Sequence, residues 1–482
     1  MTILSVDLGS WGVSAGAWQD EQWVPLQPEP APPKGAARQR PFRSCVAIDE
    51  DHRIVTGAAA FALAARQPER AACDFLHELG HGSTRRVADR LISPEVLTAL
   101  LLRALVERAS VQYGSRPEAM VLAVPACFNA NQRRALLDAA QWADIDVLAL
   151  VNAPTAAAVD WHDTRPAPAP GCVVVDFGAH KVDVSVVDIL PDGLSVQATC
   201  GEVCVGLAAL DRRLADFLAD LFYTRTQVGL RGHPRLEWQL LEMAREARER
   251  LGEAEATEFV LRHGGHEVTV TLARDQYAEL MEPVLQQLHR PLWQVQSDVA
   301  LLTRDISHVL VVGGGAAVPA VHRRIEHLQH RPPEPLGDWG QVTARGALAF
   351  ARQRRNELAI TDVTPLNLVL ETPAGRLVTL LERNMPIPIR YAESLSPEDG
   401  DYRLWQQGAG AAARQIPVGV FRFPEALLAA GPAQVTLLVD VDADGLPSLA
   451  YREPGTGWEH PLRLGSFPWR QVHSLAGLGL RA

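Results

Sequence analysis

Two short corners in this chain set a carboxylate two residues before a glycine at the end of an apolar run. The first is ILSVDLGS, with Asp7, Gly9 and Ser10. The second is CVVVDFGAHKVDVSVVDI, with Asp176, Gly178, Ala179, His180, Lys181 and Asp183. Small residues at such corners leave backbone N–H groups open to a phosphate, because a Cβ would block close approach. A third corner, Gly313-Gly314-Gly315, ends the run HVLVV and reads as a loop on the phosphate or adenosine side of a site. Two Asp-x-Gly corners suggest two halves facing one nucleotide. A separate motif, His77-Glu78-Leu79-Gly80-His81, fits HExxH. On a helix that spacing puts two imidazoles on one face for zinc, with the Glu as base. The longer metzincin pattern is not met, since Thr84 and Val87 stand where it needs Gly and His.

The elements that must position these corners alternate. From Val121 an apolar run ends at Pro125, a helix follows, a second run ends in Asn152-Ala-Pro, and a third ends at the second Asp-x-Gly corner. Such βα alternation brings strand ends to a common cleft, where ligands bind in α/β sheets. Residues 1–27 read as a pair of hairpins and 28–40 as a Pro-rich surface loop. Helices are expected over 66–82, over 93–113 with Ser93 as N-cap and Pro94 in the first turn, near 205–223, 236–252 and 273–302, and over 341–355. From 363 onward short alternating runs take over, and VTLLVDVDADGLPSLAYRE reads as a hairpin.

A length of 482 residues implies two or three domains. The 47% hydrophobic and 21% charged content is that of a globular protein. No apolar run reaches the ~18 residues of a membrane span. The net charge of −11 argues against a general nucleic-acid binder. The cysteines at 45, 73, 127, 172, 200 and 204 form no CxxC, so neither a zinc knuckle nor a disulfide framework is expected. The N-terminus enters a strand with no basic leader, so the cytoplasm is the expected compartment. Lys34 and Lys181 are the only lysines.

VLAVPACFNANQRRA, VNAPTAAAV, DFGAHKVDVSVVDI and VLVVGGGAAVPAVHRRIE, in this order, resemble the DnaK-type seventy-kilodalton heat-shock chaperones. DVTPLNLVLETPAGRLVTLLERNMPIP at 362–388 resembles the start of that family's peptide-binding β domain. The resemblance implies an actin-like (ribonuclease H-like) two-lobed α/β ATPase domain over 1–355, with a shortened first lobe. An interdomain linker over 356–362 and a C-terminal all-β sandwich over 363–482, without the family's helical lid, would follow. It implies ATP or ADP with Mg²⁺ between the lobes, unfolded or extended polypeptide as client, and a J-domain co-chaperone or nucleotide-exchange factor as partner.

Residue by residue, the resemblance puts Asp7, Asp176 and Asp183 at Mg²⁺. It puts Asp7 and Asp176 at the chemistry, where Lys181, in place of a family Thr, adds a cation able to neutralise phosphate charge, and Gly9, Ser10, Gly178, Ala179, Gly206, Arg248, Gly313 and Gly314 at the nucleotide. The departures are as informative. Trp11 replaces a Thr, and Ala179, His180 and Lys181 replace Gly, Gly and Thr. Ala153 replaces the Glu that helps place the attacking water, and His77 the phosphate-facing Lys. Arg245, Glu249 and Gly252 alter the adenine clamp, and Ala317 replaces its stacking Arg. His180 is expected to point outward or to stand in the path of the terminal phosphate. Pro125 and Arg133 match the family's Pro switch and its partner, while Leu137 and Ala149 replace a Lys and a J-protein docking Arg. Gly408–Ala413 falls where relatives carry an acidic loop. Slow hydrolysis is therefore expected. The alternatives are a non-catalytic scaffold for a fixed partner and, behind it, a zinc metallopeptidase acting through HELGH.

Overall fold

The computed structural model describes residues 2–27, 41–165, 168–191, 193–203, 205–353, 359–408, 415–431, 434–453 and 455–465. Each corner carboxylate stands at the end of a strand in one of two six-stranded sheets. The first sheet runs Asp146–Asn152, Ala119–Val124, Ile3–Leu8, Gly12–Gln19, Gln22–Pro25, with Phe42–Arg43 also on Gly12–Gln19. Its first three strands are parallel. All of Ala119–Val124 is buried, as a parallel strand covered on both faces must be. The second sheet runs Val309–Val312, Ala169–Phe177, Lys181–Leu190, Gly193–Val203, Ala359–Val363, Pro386–Ile387. Its register sets Asp176 directly opposite Asp183.

Between the sheets lie the helices Ala153–Thr164 and Trp339–Gln353, in a core that takes Val121 and Val151 from one sheet and Val174 and Leu310 from the other. These helices cross where Gly346 meets the Ala156 carbonyl, leaving no room for a Cβ. Beside the crossing, Arg345 clamps Asp160 through bonds of 2.5 and 2.8 Å.

Residues beyond 363 form two four-stranded antiparallel sheets around one core that includes Leu370, Tyr402, Phe421 and Leu437. The expected hairpin is Val435–Val441 with Pro447–Arg452. This β unit rests on the first lobe. Gln406 Oε1 accepts from Ala130 N at 2.7 Å, and Asp444 Oδ1 from Leu150 N at 3.0 Å. Arg133, 3% exposed, donates to the Asp444 carbonyl at 3.1 Å and to Asn152 Oδ1 at 2.6 Å.

Most of the expected helices form, as Pro94–Tyr113, Leu207–Thr226, Pro234–Glu253 and Trp339–Gln353. The 273–302 stretch divides into Arg274–Leu285 and His289–Asp298. The helix expected over 66–82 does not form. In its place are a 3-10 turn at Pro68–Arg70, a strand at Ala71–Cys73 and a 3-10 turn at Leu76–Glu78. Asp74 and Gly80 have φ of 60° and 72°, a left-handed backbone that no right-handed helix continues through.

The cysteines also depart from expectation. Cys45 and Cys73 face each other across paired antiparallel strands, Cα atoms 4.1 Å apart, and are joined as a disulfide. A separation of 28 residues with no motif conceals that register. Part of the stretch read as a linker is a strand, Ala359–Val363, in the second sheet. The Pro-rich loop, residues 409–413 of GAGAAA and the segment after 465 lie outside the described residues.

Candidate functional site

The first corner is a tight turn. Gly9 N donates to Asp7 O at 3.2 Å, Ser44 Oγ to Gly9 O at 2.5 Å, and a Cβ on Gly9 would lie 2.5 Å from Gly12 O. Ser10 is half-buried at its tip. Burial pushes the Asp7 carboxyl up to about 7.

Asp176 and Asp183 join it from the second sheet. Burial raises Asp176 well above the usual carboxylate range, and repulsion from Asp7 and Asp183 adds to this. Burial raises Asp183 too, although Cys127 N donates to its Oδ1 at 3.0 Å and Lys181 stands nearby. Gly313 (φ 71°) packs against the Asp176 carboxylate, where a side chain would collide. Three converging carboxylates, Asp183 buried and Asp7 and Asp176 half-buried, repel one another unless protonated or given a cation. The donor set of hard oxygens fits a hydrated Mg²⁺, so these residues could hold the ion.

The second corner differs from an open phosphate cradle. Gly178 N donates to Lys181 O at 3.0 Å, closing the turn. The carbonyls of Gly178 and Ala179 accept from Leu207 N and Ala208 N at 3.0 and 2.8 Å, so this loop caps the helix Leu207–Thr226. Gly206 allows the contact, since its Cβ would lie 2.5 Å from Ala179 O. Leu207 also packs against Gly314. Lys181 Nζ sits 4.1 Å from the centre of the Phe128 ring, a cation–π contact.

Arg248 is not available to a base. It is 5% exposed and bonded twice to Asp211, at 2.8 and 3.1 Å. Gly252 approaches Ala317, with a Cβ lying 2.9 Å from its carbonyl oxygen, so the two sides of the expected adenine slot touch. Trp11 lies between two guanidinium groups, Arg43 at 4.0 Å and Arg245 at 3.7 Å from its ring centre. Phe61 meets Trp11 edge-on at 5.5 Å and Trp238 at 5.4 Å. Trp11, Arg43 and Phe61 belong to the first lobe. Trp238 and Arg245 lie on the Pro234–Glu253 helix of the second. This clasp escaped sequence reading, though the Thr-to-Trp change at 11 was its visible sign.

The HELGH segment forms no zinc-peptidase site. Its only helical turn ends at Glu78, and Gly80 then redirects the chain, so His77 and the exposed His81 share no helical face. Burial would raise the Glu78 carboxyl, but bonds from Arg85 and Ser83 outweigh it and hold Glu78 below its usual range. His77 instead stacks on His180 with centroids 3.9 Å apart, and His180 Nε2 lies 2.6 Å from Asp74 Oδ2. Burial, then the neighbouring His180, depress His77 to about 4, against the opposing pull of Asp74 and Glu78. The imidazole at the family's Lys position is therefore neutral at pH 7. His180 does not project freely outward; Asp74 holds its ring.

Among the described residues no helix is long and apolar enough to cross a membrane. The Hsp70 protein family profile matches residues 66–465. The chaperone protein DnaK of Methanothermobacter thermautotrophicus is 28% identical over 96% of this chain and 80% of its own length. Chaperone protein dnaK1 of Prochlorococcus marinus is 32% identical over 77% of this chain and 58% of its own. For dnaK3 of Synechocystis the figures are 31%, 77% and 50%. The chain thus spans little more than half the length of two of these relatives. With two Asp-Gly corners on facing sheets, a β unit after them and a match over most of its length, the chain belongs to the Hsp70 family.

Proposed function

We propose that the chain is a divergent, cytoplasmic DnaK-type chaperone that binds ATP or ADP with Mg²⁺ between its lobes and hydrolyses ATP slowly. Its parts are a nucleotide-binding unit over 1–355, a connecting segment over 356–362 and a peptide-binding-like unit over 363–482. The observation that carries the reading is the convergence of Asp7, Asp176 and Asp183 beside Gly313 at the mouth of both sheets. When bound, the metal supplies positive charge for the phosphates.

The chain's own residues supply less than the family pattern. Ala153 has no carboxylate to orient water, and the neutral His77 gives no fixed positive charge. Losing one charge-stabilising group typically costs ~10²–10³ in rate. Lys181 stands near Asp183 and lowers its carboxyl against the effect of burial. The β unit, in this reading, holds extended segments of unfolded polypeptide through sheet-edge hydrogen bonds, with a J-domain protein or exchange factor as partner.

A second reading, a non-catalytic scaffold for a fixed partner, is favoured by the Trp11 clasp and by the closed turn at Gly178. Calorimetric titration with MgATP and MgADP, with thermal denaturation beside it, separates the two. Millimolar nucleotide should raise the melting temperature by mass action, with turnover far below the ~10 per second of an ordinary enzyme. No stabilisation at any concentration removes the chaperone-ATPase reading and leaves the scaffold.

A further inference from the structure

The cleft holds a second group of potential ligands, separate from the three carboxylates. Asp74, His77 and His180 each offer one donor atom, and these atoms lie within 4.8 Å of one another. The first two come from the first lobe and the third from the turn between Ala169–Phe177 and Lys181–Leu190 in the second. We propose that Asp74, His77 and His180 bind one divalent first-row transition-metal ion, such as zinc or cobalt, across the lobe boundary.

Three observations carry this. The donor set is two imidazoles and one carboxylate, which suits zinc and its neighbours; Mg²⁺ takes oxygen ligands and keeps much of its water. His77 Nδ1 is buried and has no hydrogen-bond partner, so no hydrogen bond at that nitrogen fixes the ring against a metal. The three side chains retain 24–29% of their exposure, so one side of the group stays open for a water or an anion, as in metal sites with three protein ligands.

The backbone that carries the ligands is fixed by bonds that use none of the donor atoms. Asp74 N donates to Ser44 O at 3.3 Å, its carbonyl accepts from Arg85 Nη2 at 3.4 Å, and its neighbour Cys73 is tied to Cys45. His180 sits in the turn closed by Gly178 N and Lys181 O. Next to His77, Glu78 is already committed to Arg85. The site is thus preorganised except for the Asp74–His180 hydrogen bond, which a shared cation would replace.

The test uses the whole chain, stripped with a chelator and titrated with Co²⁺ and Zn²⁺ in millimolar Mg²⁺ without nucleotide, so that failure of the nucleotide reading leaves it intact. One ion per chain is expected, with a visible cobalt ligand-field band. His180→Ala and Asp74→Ala should each weaken binding by more than the ~10–100-fold typical of a lost outer-shell partner. His81→Ala should change nothing. If Asp74→Ala fails to fold, His180→Gln, in the half-buried turn, gives the same reading. No stoichiometric ion in Mg²⁺, affinity that survives loss of His180, or affinity lost with His81 would each overturn the proposal.

Discussion

Trp11 is one of the residues on which the two lobes meet. Each guanidinium on its faces contributes about 0.5–2 kcal/mol when partly desolvated. In the proposed reading, a nucleotide entering beside Ser10 would compete with those contacts. Trp11→Thr should therefore tighten MgADP binding about tenfold, equivalent to about 1.4 kcal/mol, when both proteins are titrated calorimetrically. An unchanged affinity would mean that the clasp lies clear of the nucleotide path. Asp7 and Asp176 could be picked out in the sequence because a carboxylate two residues before a glycine at a strand end is a local pattern; Asp183, opposite Asp176 in the sheet register, was named only through the resemblance. The partners of Arg248 and His180 were not. Asp211 and Asp74 reach them from elements distant in sequence, and no local spacing announces either pair. The two replacements at 77 and 180 were visible singly; only the fold shows that they touch.

Among the elements, legibility followed the strength of local signals. Pro94–Tyr113 begins where Ser93 caps it, with Ser93 Oγ accepting from Val96 N at 3.4 Å, and that cap could be read directly. The 66–82 stretch had helix-forming composition, but Asp74 and Gly80 turn left-handed, and tertiary contacts with Ser44 and Glu95 select that path. The close approach of Ala153–Thr164 and Trp339–Gln353 requires a glycine at 346. Gly346→Ala would push a methyl group into the Ala156 carbonyl and should cost about 1–3 kcal/mol, as overpacked cores do. Gly340→Ala on the same helix is the control, since its Cβ would meet only Asp338 Oδ1 at 3.7 Å. Urea denaturation of both should show a lower midpoint for the first only. Equal midpoints would mean that the two helices separate freely.

In the whole molecule, the β unit and the first lobe share a hydrogen-bonded seam centred on Arg133 and Asp444. Composition and alternation revealed that a β unit follows an α/β one, but not that they touch, because the seam is built from a loop aspartate and backbone groups. Asp444→Ala leaves Leu150 N without its acceptor and a buried guanidinium with less negative charge nearby. The expected loss is about 1–3 kcal/mol of coupling, seen in scanning calorimetry as one transition splitting into two. A single transition at the wild-type temperature would place the coupling elsewhere.

The strand Ala359–Val363 ties that seam to the second lobe, pairing with Gly193–Val203 on one side and Pro386–Ile387 on the other. The three segments make one continuous ribbon of hydrogen bonds from lobe to β unit. Swinging the β unit away with this strand would unzip the ribbon and turn Gly193–Val203 into a raw edge. An unpaired edge is a template for another chain, so the short connecting strand also keeps covered an edge that another chain could otherwise pair with.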